Sequence, residues 1–424
     1  MMDDLSFSPL TQNEFNQYIE PLGPWGGDKD NIPPIAVAVS GGADSLCLAL
    51  MLSRWRKNIH AFIVDHQLRT SSGQEAIITQ NRLSRLSIPS TILTLNNLNA
   101  GAALEERARM ARYDALFDAC SKKGCLDLLL GHHAGDQAET VLMRIRAGSA
   151  ADGLAGMALI MDLPNIRLVR PLLSVPPQRL RATLKKENIV WIEDPSNQDM
   201  RIRRNQLRKE LSTSSQQSGA ISTLLQRSRE EGRNRMKKDK EQADLLVQHV
   251  EIRPEGFALL STSTIESRAL GAIIRTISGS IYAPMSQSLE RLRHLHSMTV
   301  GGVKIQPAGR LGDGWLMFRE EAAMQKRVQV APDCIWDHRF RVIIPDGQMK
   351  DGIEVGALGD GYKQFAHRNT FPSALLRVLP AFWDRQTLIA VPHLNIFLQS
   401  DVKNWQIIFQ PKQPMTQSYL FLGI

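Results

Sequence analysis

The chain has 424 residues, 43% hydrophobic and 22% charged, with a formal charge of +8; the length predicts two or three domains with real cores, and the charge suits a polyanionic partner without requiring one. No run of about eighteen apolar residues offers a membrane span, so a membrane protein is excluded. Four cysteines, at 47, 120, 125 and 334, form no Cys-x-x-Cys pair, and the Met1-Met2-Asp3-Asp4 start is unlike a signal peptide; both fit a reducing cytoplasm without a disulfide framework.

Ile35 to Val39, apolar and following Pro33-Pro34, reads as a core strand too short for a helix. Ser40-Gly41-Gly42-Ala43-Asp44-Ser45 then makes a turn into a helix carrying Leu46, Leu48, Leu50 and Leu52. Two adjacent glycines permit positive φ and let backbone N–H groups converge on an anion at the helix N-terminus. The Gly-Lys-Ser/Thr ending of the Walker A loop is absent from the chain. Ser-Gly-Gly-x-Asp-Ser instead resembles the PP-loop of the N-type ATP pyrophosphatases, which cleave ATP to AMP and pyrophosphate.

Ala61 to Val64 is a second strand, ending in Asp65-His66-Gln67-Leu68-Arg69. Asp65 and His66 thus stand beside the glycine loop, where ligand contact and simple turn capping both suit them. Helix is expected over Gly73 to Leu86, strand over Ser90 to Leu95, and an amphipathic helix over Leu104 to Cys120 stopped by Gly124. Arg109, Arg112 and Tyr113 share one face of that helix, either converging on one anion or forming a salt-bridged surface. Leu126 to Leu130 is the next strand and runs into Gly131-His132-His133, with helix again over Asp136 to Arg146. The pattern is not His-Glu-x-x-His and supplies no zinc set. Asp136 and Glu139 suit an ammonium group or magnesium, and they also suit the helix dipole. Strands alternating with helices predict an α/β class, a doubly wound, mainly parallel sheet whose crevice lies at the carboxyl ends of the strands.

Pro171 to Leu211 is expected to be helical and basic, broken at Trp191 to Asn197, with a linker over Ser212 to Ser218 and a long helix over Ile221 to His249. Pro254 to Arg319 mixes helix and short strands, and Pro332 opens a region of short apolar runs. The expected domains are 1–215, catalytic; 216–328, mainly helical; and 329–424, a small α+β domain.

In order, the glycine loop, Val64-Asp-His-x-Leu-Arg69, Ala108-Arg-x-x-Arg-Tyr113, Gly131-His-His-x-x-Asp-Gln-x-Glu-Thr140, Arg170-Pro-Leu-Leu173, Asp194-Pro-Ser-Asn197 and Arg204-Asn205-x-x-Arg208 resemble the tRNA(Ile)-lysidine synthetase family. The match is specific over residues 35 to 210. It is looser beyond, at Thr299-Val-Gly-Gly302, Trp336-Asp337 and Leu379-Pro-Ala-Phe-Trp383. The resemblance implies an adenine nucleotide alpha hydrolase-like domain that uses ATP and Mg2+ to join lysine to C2 of the wobble cytidine of an isoleucine tRNA with a CAU anticodon. By that resemblance Ser40, Gly41, Gly42, Ala43, Asp44, Ser45, Asp65 and His66 hold ATP, with Asp44 at the metal. Asp136 and Glu139 grip lysine, Arg109 and Arg112 answer its carboxylate or a phosphate, and Tyr113, His133, Arg170, Asn197, Arg204, Asn205 and Arg208 bind lysine or tRNA. The Arg201, Arg203, Arg204 and Arg208 stretch is expected to contact the RNA backbone.

One departure stands at Gly135, where the family usually has the first of two aspartates. If Asp136 supplies the needed charge, Gly135→Asp should change the rate little and Asp136→Ala should nearly abolish it. Two alternatives stay open: a PP-loop tRNA thiolation enzyme, against which the cysteine spacing speaks, and a non-catalytic RNA-binding protein on a decayed loop, against which Asp44 and Ser45 speak.

Overall fold

The computed structural model describes residues 7–26, 32–67, 71–95, 104–193, 203–213, 217–290, 292, 294–332, 334–365, 370–416 and 419–421. The chain divides into two compact units, the first made of residues 1–238 and 417–424, the second of residues 239–416.

The first unit begins with α1 (Gln12–Ile19), whose N-cap Thr11 exchanges hydrogen bonds with Glu14. The nucleotide-type fold follows as β1 (Ile35–Ala38), α2 (Ala43–Trp55), β2 (Ile59–Asp65), α3 (Ser72–Arg85), β3 (Ser90–Thr94), α4 (Leu104–Lys123), β4 (Asp127–Leu129) and α5 (Ala134–Arg146). After α6 (Ala151–Leu154) come the hairpin β5 (Ile160–Leu163) and β6 (Ile166–Val169), then α7 (Pro177–Lys186), α8 (Arg203–Thr213) and α9 (Gln217–His249).

Strands β3, β2, β1, β4 and β6 pair in that order and are parallel throughout; β5 is antiparallel to β6. Alternation along β1 sends Ile35 and Val37 into a core with the leucines of α2 and with α7, and Ala36 into a separate core with Leu116 and Cys120 of α4. The sheet is therefore covered on both faces, as parallel sheets require. Sequence reading anticipated these strands and helices to within a few residues, apart from α1, α6 and the β5–β6 hairpin.

The second unit starts inside α9, since the division falls between Lys238 and Asp239. It contains β7 (Val250–Arg253), β8 (Phe257–Leu260), α10 (Ser267–Ser278), α11 (Ser286–Glu290), β9 (Met298–Val300), β10 (Val303–Pro307) and β11 (Trp315–Arg319). Next are β12 (Val328–Gln329), β13 (Ile335–Trp336), β14 (Phe340–Ile343), β15 (Ile353–Ala357), α12 (Ser373–Leu376), β16 (Pro380–Asp384), β17 (Thr387–Val391), β18 (Ile396–Phe397) and β19 (Gln406–Phe409). β7, β8, β11, β10 and β9 form an antiparallel sheet against α10, whose Leu270, Ile273, Ile274 and Ile277 recur at helical spacing and are buried. The middle region expected to be mainly helical thus holds a five-stranded sheet, because strands of three to five residues leave little periodicity to read.

Two further antiparallel sheets, β12-β15-β16-β17-β18 and β13-β14-β19, share a core around Trp336, Phe382 and Trp405. The chain then returns to the first unit: β20 (Tyr419–Leu420) adds to β5 at the sheet edge, and Arg235 lies over the Tyr419 and Phe421 rings. Among the described residues no helix is long and apolar enough to cross a membrane.

Candidate active site

β1 pairs with β2 on one side and β4 on the other, so strand order reverses at β1 and β4 and their carboxyl ends splay apart. A crevice at such a switch point is where α/β sheets bind ligands. Here it is a cavity of about 1060 Å³ within the first unit.

The glycine loop forms one wall. Gly41 has φ +87°, and a methyl group there would run into Thr79 Oγ1 of α3. Ser45 Oγ accepts from Ser40 N–H at 3.1 Å and donates to the Gly42 carbonyl at 3.1 Å, which closes the loop on itself. Ile192 N–H donates to the Gly41 carbonyl at 2.9 Å, so the 189–193 segment lies against the loop. Gly42 caps α2 with extended backbone and no side-chain bond, leaving the first N–H groups of that helix for an anion. Asp44, in the first turn of α2, keeps Oδ1 buried without a hydrogen-bond partner. A buried carboxylate oxygen with no donor fits a magnesium ion, which binds through one or two carboxylates plus substrate phosphates.

His133 links this wall to α5. As N-cap it accepts from Asp136 N–H on Nδ1 at 3.3 Å, while its own N–H donates to Asp136 Oδ2 at 3.1 Å. With Nδ1 accepting, the ring proton belongs on Nε2, which lies 3.5 Å from Asp44 Oδ2 and 3.5 Å from Asp136 Oδ2. Burial pushes the His133 imidazolium down, but Asp136 and Asp44 outweigh it and the pKa is raised. For Asp136, burial works upward and is outweighed by His133 and Arg204, so its pKa is lowered.

Asp136 and Glu139 are already in ion pairs. Arg204 donates to Asp136 Oδ1 at 2.7 Å and to Glu139 Oε2 at 2.7 Å, and Arg208 Nε donates to Glu139 Oε1 at 2.8 Å. Arg204 and Arg208, expected to bind lysine or tRNA, line the cavity and join α8 to α5 through these pairs. A spacing of four puts two arginines on one helix face but does not say which way that face turns. Asn205 lines the cavity too.

On the opposite side, Asp65 Oδ1 accepts from Gln67 N–H at 3.0 Å and from Ser72 Oγ at 2.7 Å, so this oxygen serves the turn into α3. His66, Arg109 and Arg112 line the cavity, with the Arg109 and Arg112 guanidiniums each 5.3 Å from the centre of the Tyr113 ring. Neither arginine has an acidic partner among the described residues. Gly41, Tyr113 and Arg170 do not line the cavity; Arg170 is buried behind it and donates to the Ala158 carbonyl at 3.0 Å. Asn197 lies outside the described residues.

Sequence reasoning did not single out His132, Arg181, Trp191 or Ile192, all of which line the cavity. His132 adjoins His133 in a motif already conspicuous, and its pKa is pulled down to about 3 by burial and by Arg170 and Arg204 against Asp136. Arg181 carried no signal, being one cation among many in a basic helix.

The family model of the PP-loop domain matches residues 9–215. Over most of its length the chain is similar to a tRNA(Ile)-lysidine synthase of Ruegeria pomeroyi, 31% identical across 85% of this chain and 89% of that protein. Another of that name, from Rickettsia akari, is 28% identical across 89% of this chain and 93% of the relative. A third, from Rhodopseudomonas palustris, reaches 40% identity across 42% of this chain and 53% of the relative. A solved U34-tRNA thiolase of Methanococcus maripaludis is similar at TM-score 0.43 and 18% identity, across 51% of this chain and 77% of that one.

Proposed function

Because the chain belongs to the tRNA(Ile)-lysidine synthase family, we propose that its cavity carries out the two steps of lysidine formation on an isoleucine tRNA with a CAU anticodon. In the first step O2 of the wobble cytosine attacks the α-phosphorus of ATP and pyrophosphate leaves. In the second the ε-amine of lysine adds at C2 and AMP leaves with the oxygen. One observation carries the reading: a single cavity holds the phosphate loop and, across His133, the Asp136–Glu139 pair.

The loop N–H groups offset negative charge on the triphosphate, and Ser40 and Ser45 keep them fixed, so little reorganisation accompanies the developing charge. Asp44, through its free Oδ1, and Asp65, through its other oxygen, are the residues to hold a magnesium ion; bound there, it would neutralise phosphate charge. His133 keeps the α2 and α5 carboxylates at a fixed separation. The target base reaches the cavity from an anticodon loop, where bases are already splayed out of a duplex.

A lysine amine is charged in neutral water and must lose its proton to attack. Asp136, its pKa depressed, is a poor proton acceptor and a good electrostatic anchor. The Arg204 and Arg208 guanidiniums beside it instead disfavour a second cation, and like-charge proximity in a desolvated site lowers an amine's pKa. The carboxylates thus orient the lysine and the arginines keep its attacking end neutral.

The test is incubation with ATP, labelled lysine and the CAU-anticodon isoleucine tRNA. The expected result is label on the tRNA with one AMP and one pyrophosphate per lysine. Sulfur transfer without lysine would mean thiolation, and tRNA binding with neither AMP nor label would mean a binding protein.

A further inference from the structure

Lysidine formation calls on none of the four cysteines, yet two of them meet. Helix α4 ends in a pair of backbone bonds: Cys125 N–H donates to the Cys120 carbonyl at 2.8 Å and Gly124 N–H to the Ser121 carbonyl at 3.1 Å, with Gly124 at φ +73°. This is the Schellman ending, in which side chains at the two ends of the longer bond come into contact. Such contacts are usually hydrocarbon; here both positions are cysteine. Both are buried free thiols, and Cys120 S–H donates to the Cys125 sulfur.

That bond makes the two sulfurs unequal. Donation from Cys120, helped by Lys123, holds the Cys125 thiol below its ordinary range against burial and Asp127, whereas Cys120 is pushed up by the bond and by burial. Cys47 is pushed up to about 12 by burial and Asp44. The thiolate is the reactive form, so Cys125 is the more reactive of these three. Access comes from the turn itself: residues 121–124 are exposed, a Cβ at Gly124 would meet nothing within 4 Å, and helix ends open locally at little cost.

The pair also lies where a small shift is felt. Cys120 and Cys125 share a core with Leu116, Leu128 and Leu130. From there α4 leads back to Arg112 and Arg109, and β4 leads on to His132 and His133, all of which line the cavity. We propose that Cys120 and Cys125 form a redox modification site, whose reversible disulfide draws α4 against β4 and slows turnover in the cavity. The Cys125 sulfur attacks one oxygen of hydrogen peroxide, the O–O bond breaks, and hydroxide leaves with the thiol's proton as water. The Cys120 sulfur then attacks that sulfenic sulfur, the S–O bond breaks, and a second water leaves with the Cys120 proton. Two thiols are oxidised and one peroxide is reduced. The sulfurs close from van der Waals contact, about 4 Å, to about 2.0 Å, a displacement that a close-packed core passes on. The slowing of turnover rests on the lysidine reading; the disulfide does not.

The test treats the full chain, freed of reductant, with hydrogen peroxide, then alkylates it and digests it with trypsin, which cuts after Lys122 and Lys123 and so parts the two cysteines. Mass spectrometry should find the 113–122 and 124–144 peptides joined, and dithiothreitol should separate them. In step, kcat for lysine transfer should fall about 3- to 10-fold and return with dithiothreitol. Cys120→Ala/Cys125→Ala should turn over like reduced wild type and be insensitive to the same peroxide dose. Peptides that never join, or Cys125 carried on to sulfinic acid with Cys120 left free, would overturn the site. Joined peptides with kcat unchanged, or a double variant inactivated as wild type is, would overturn its hold on turnover. A wild type that transfers no lysine sinks the lysidine reading, while peptide linkage still decides the disulfide.

Discussion

At Gly41, a positive φ and the Thr79 hydroxyl close above it act together. Gly41→Ala is expected to add about 1–3 kcal/mol of strain and to displace the loop, cutting pyrophosphate release about 100-fold. Measuring release at a temperature where the variant is folded checks this, and wild-type turnover would show that the loop tolerates a side chain. Gly135 is constrained differently, since a Cβ there would stand 3.0 Å from His133 Cε1 and 3.2 Å from Nδ1. That ring caps α5 and sits between Asp44 and Asp136, so it has little room to give. The expectation of an innocuous Gly135→Asp is accordingly revised to a loss of about 3- to 10-fold in kcat, against about 100-fold or more for Asp136→Ala. The glycine loop was legible in the sequence because backbone demands of that kind select glycine. The His133 cap was not, since histidine is outside the usual N-cap set and only the fold brings Asp44 to its far nitrogen.

Among elements, the α5–α8 contact invites an asymmetric prediction. The Glu139 side chain is 3% exposed, whereas those of Arg204 and Arg208 are 36% and 41% exposed. Removing both arginines as Arg204→Met/Arg208→Met strands a buried carboxylate and should cost about 3 kcal/mol, more than Glu139→Ala, which leaves cations able to reach water. Urea unfolding of the two variants decides it, and a larger cost for Glu139→Ala would show that the arginines depend on the acid for more than charge. The helix α8 was visible as a basic run, but its partner, 65 residues earlier in sequence, was not. Helices and parallel strands were read well because each is long or uniformly apolar. The β5–β6 hairpin and the middle sheet escaped because short antiparallel strands are defined by their neighbours more than by their own residues.

For the whole molecule, a formal charge of +8 predicts tRNA binding that weakens with salt, by about 0.7–0.9 log units per phosphate contacted for each log of salt. A flat response in a titration of labelled tRNA would remove RNA as the substrate. Stability should also depend on acid. His393, in the second unit, is pushed down to about 4, first by burial and further by Arg339, although a hydrogen bond with Pro254 opposes this. Between its ordinary value of 6.5 and about 4 the unfolded chain binds the extra proton, so stability should fall as pH drops through that window. The slope approaches about 1.4 kcal/mol per pH unit for one such site, and His393→Asn should flatten it in denaturant titrations from pH 7 to 4. An unchanged slope would assign the acid sensitivity elsewhere.

The pairing of β20 with β5 fixes an order of events during synthesis. A ribosome makes every strand of the PP-loop sheet but one within the first 169 residues, then must produce the whole second unit before Tyr419 and Leu420 emerge. Until then β5 presents an open edge, the kind of surface that invites pairing with another chain. A nascent chain halted between residues 169 and 419 thus carries the glycine loop and both histidines yet lacks the strand that covers the β5 edge. Such a fragment differs from a finished copy in the uncovered β5 edge, a pairing surface for other chains.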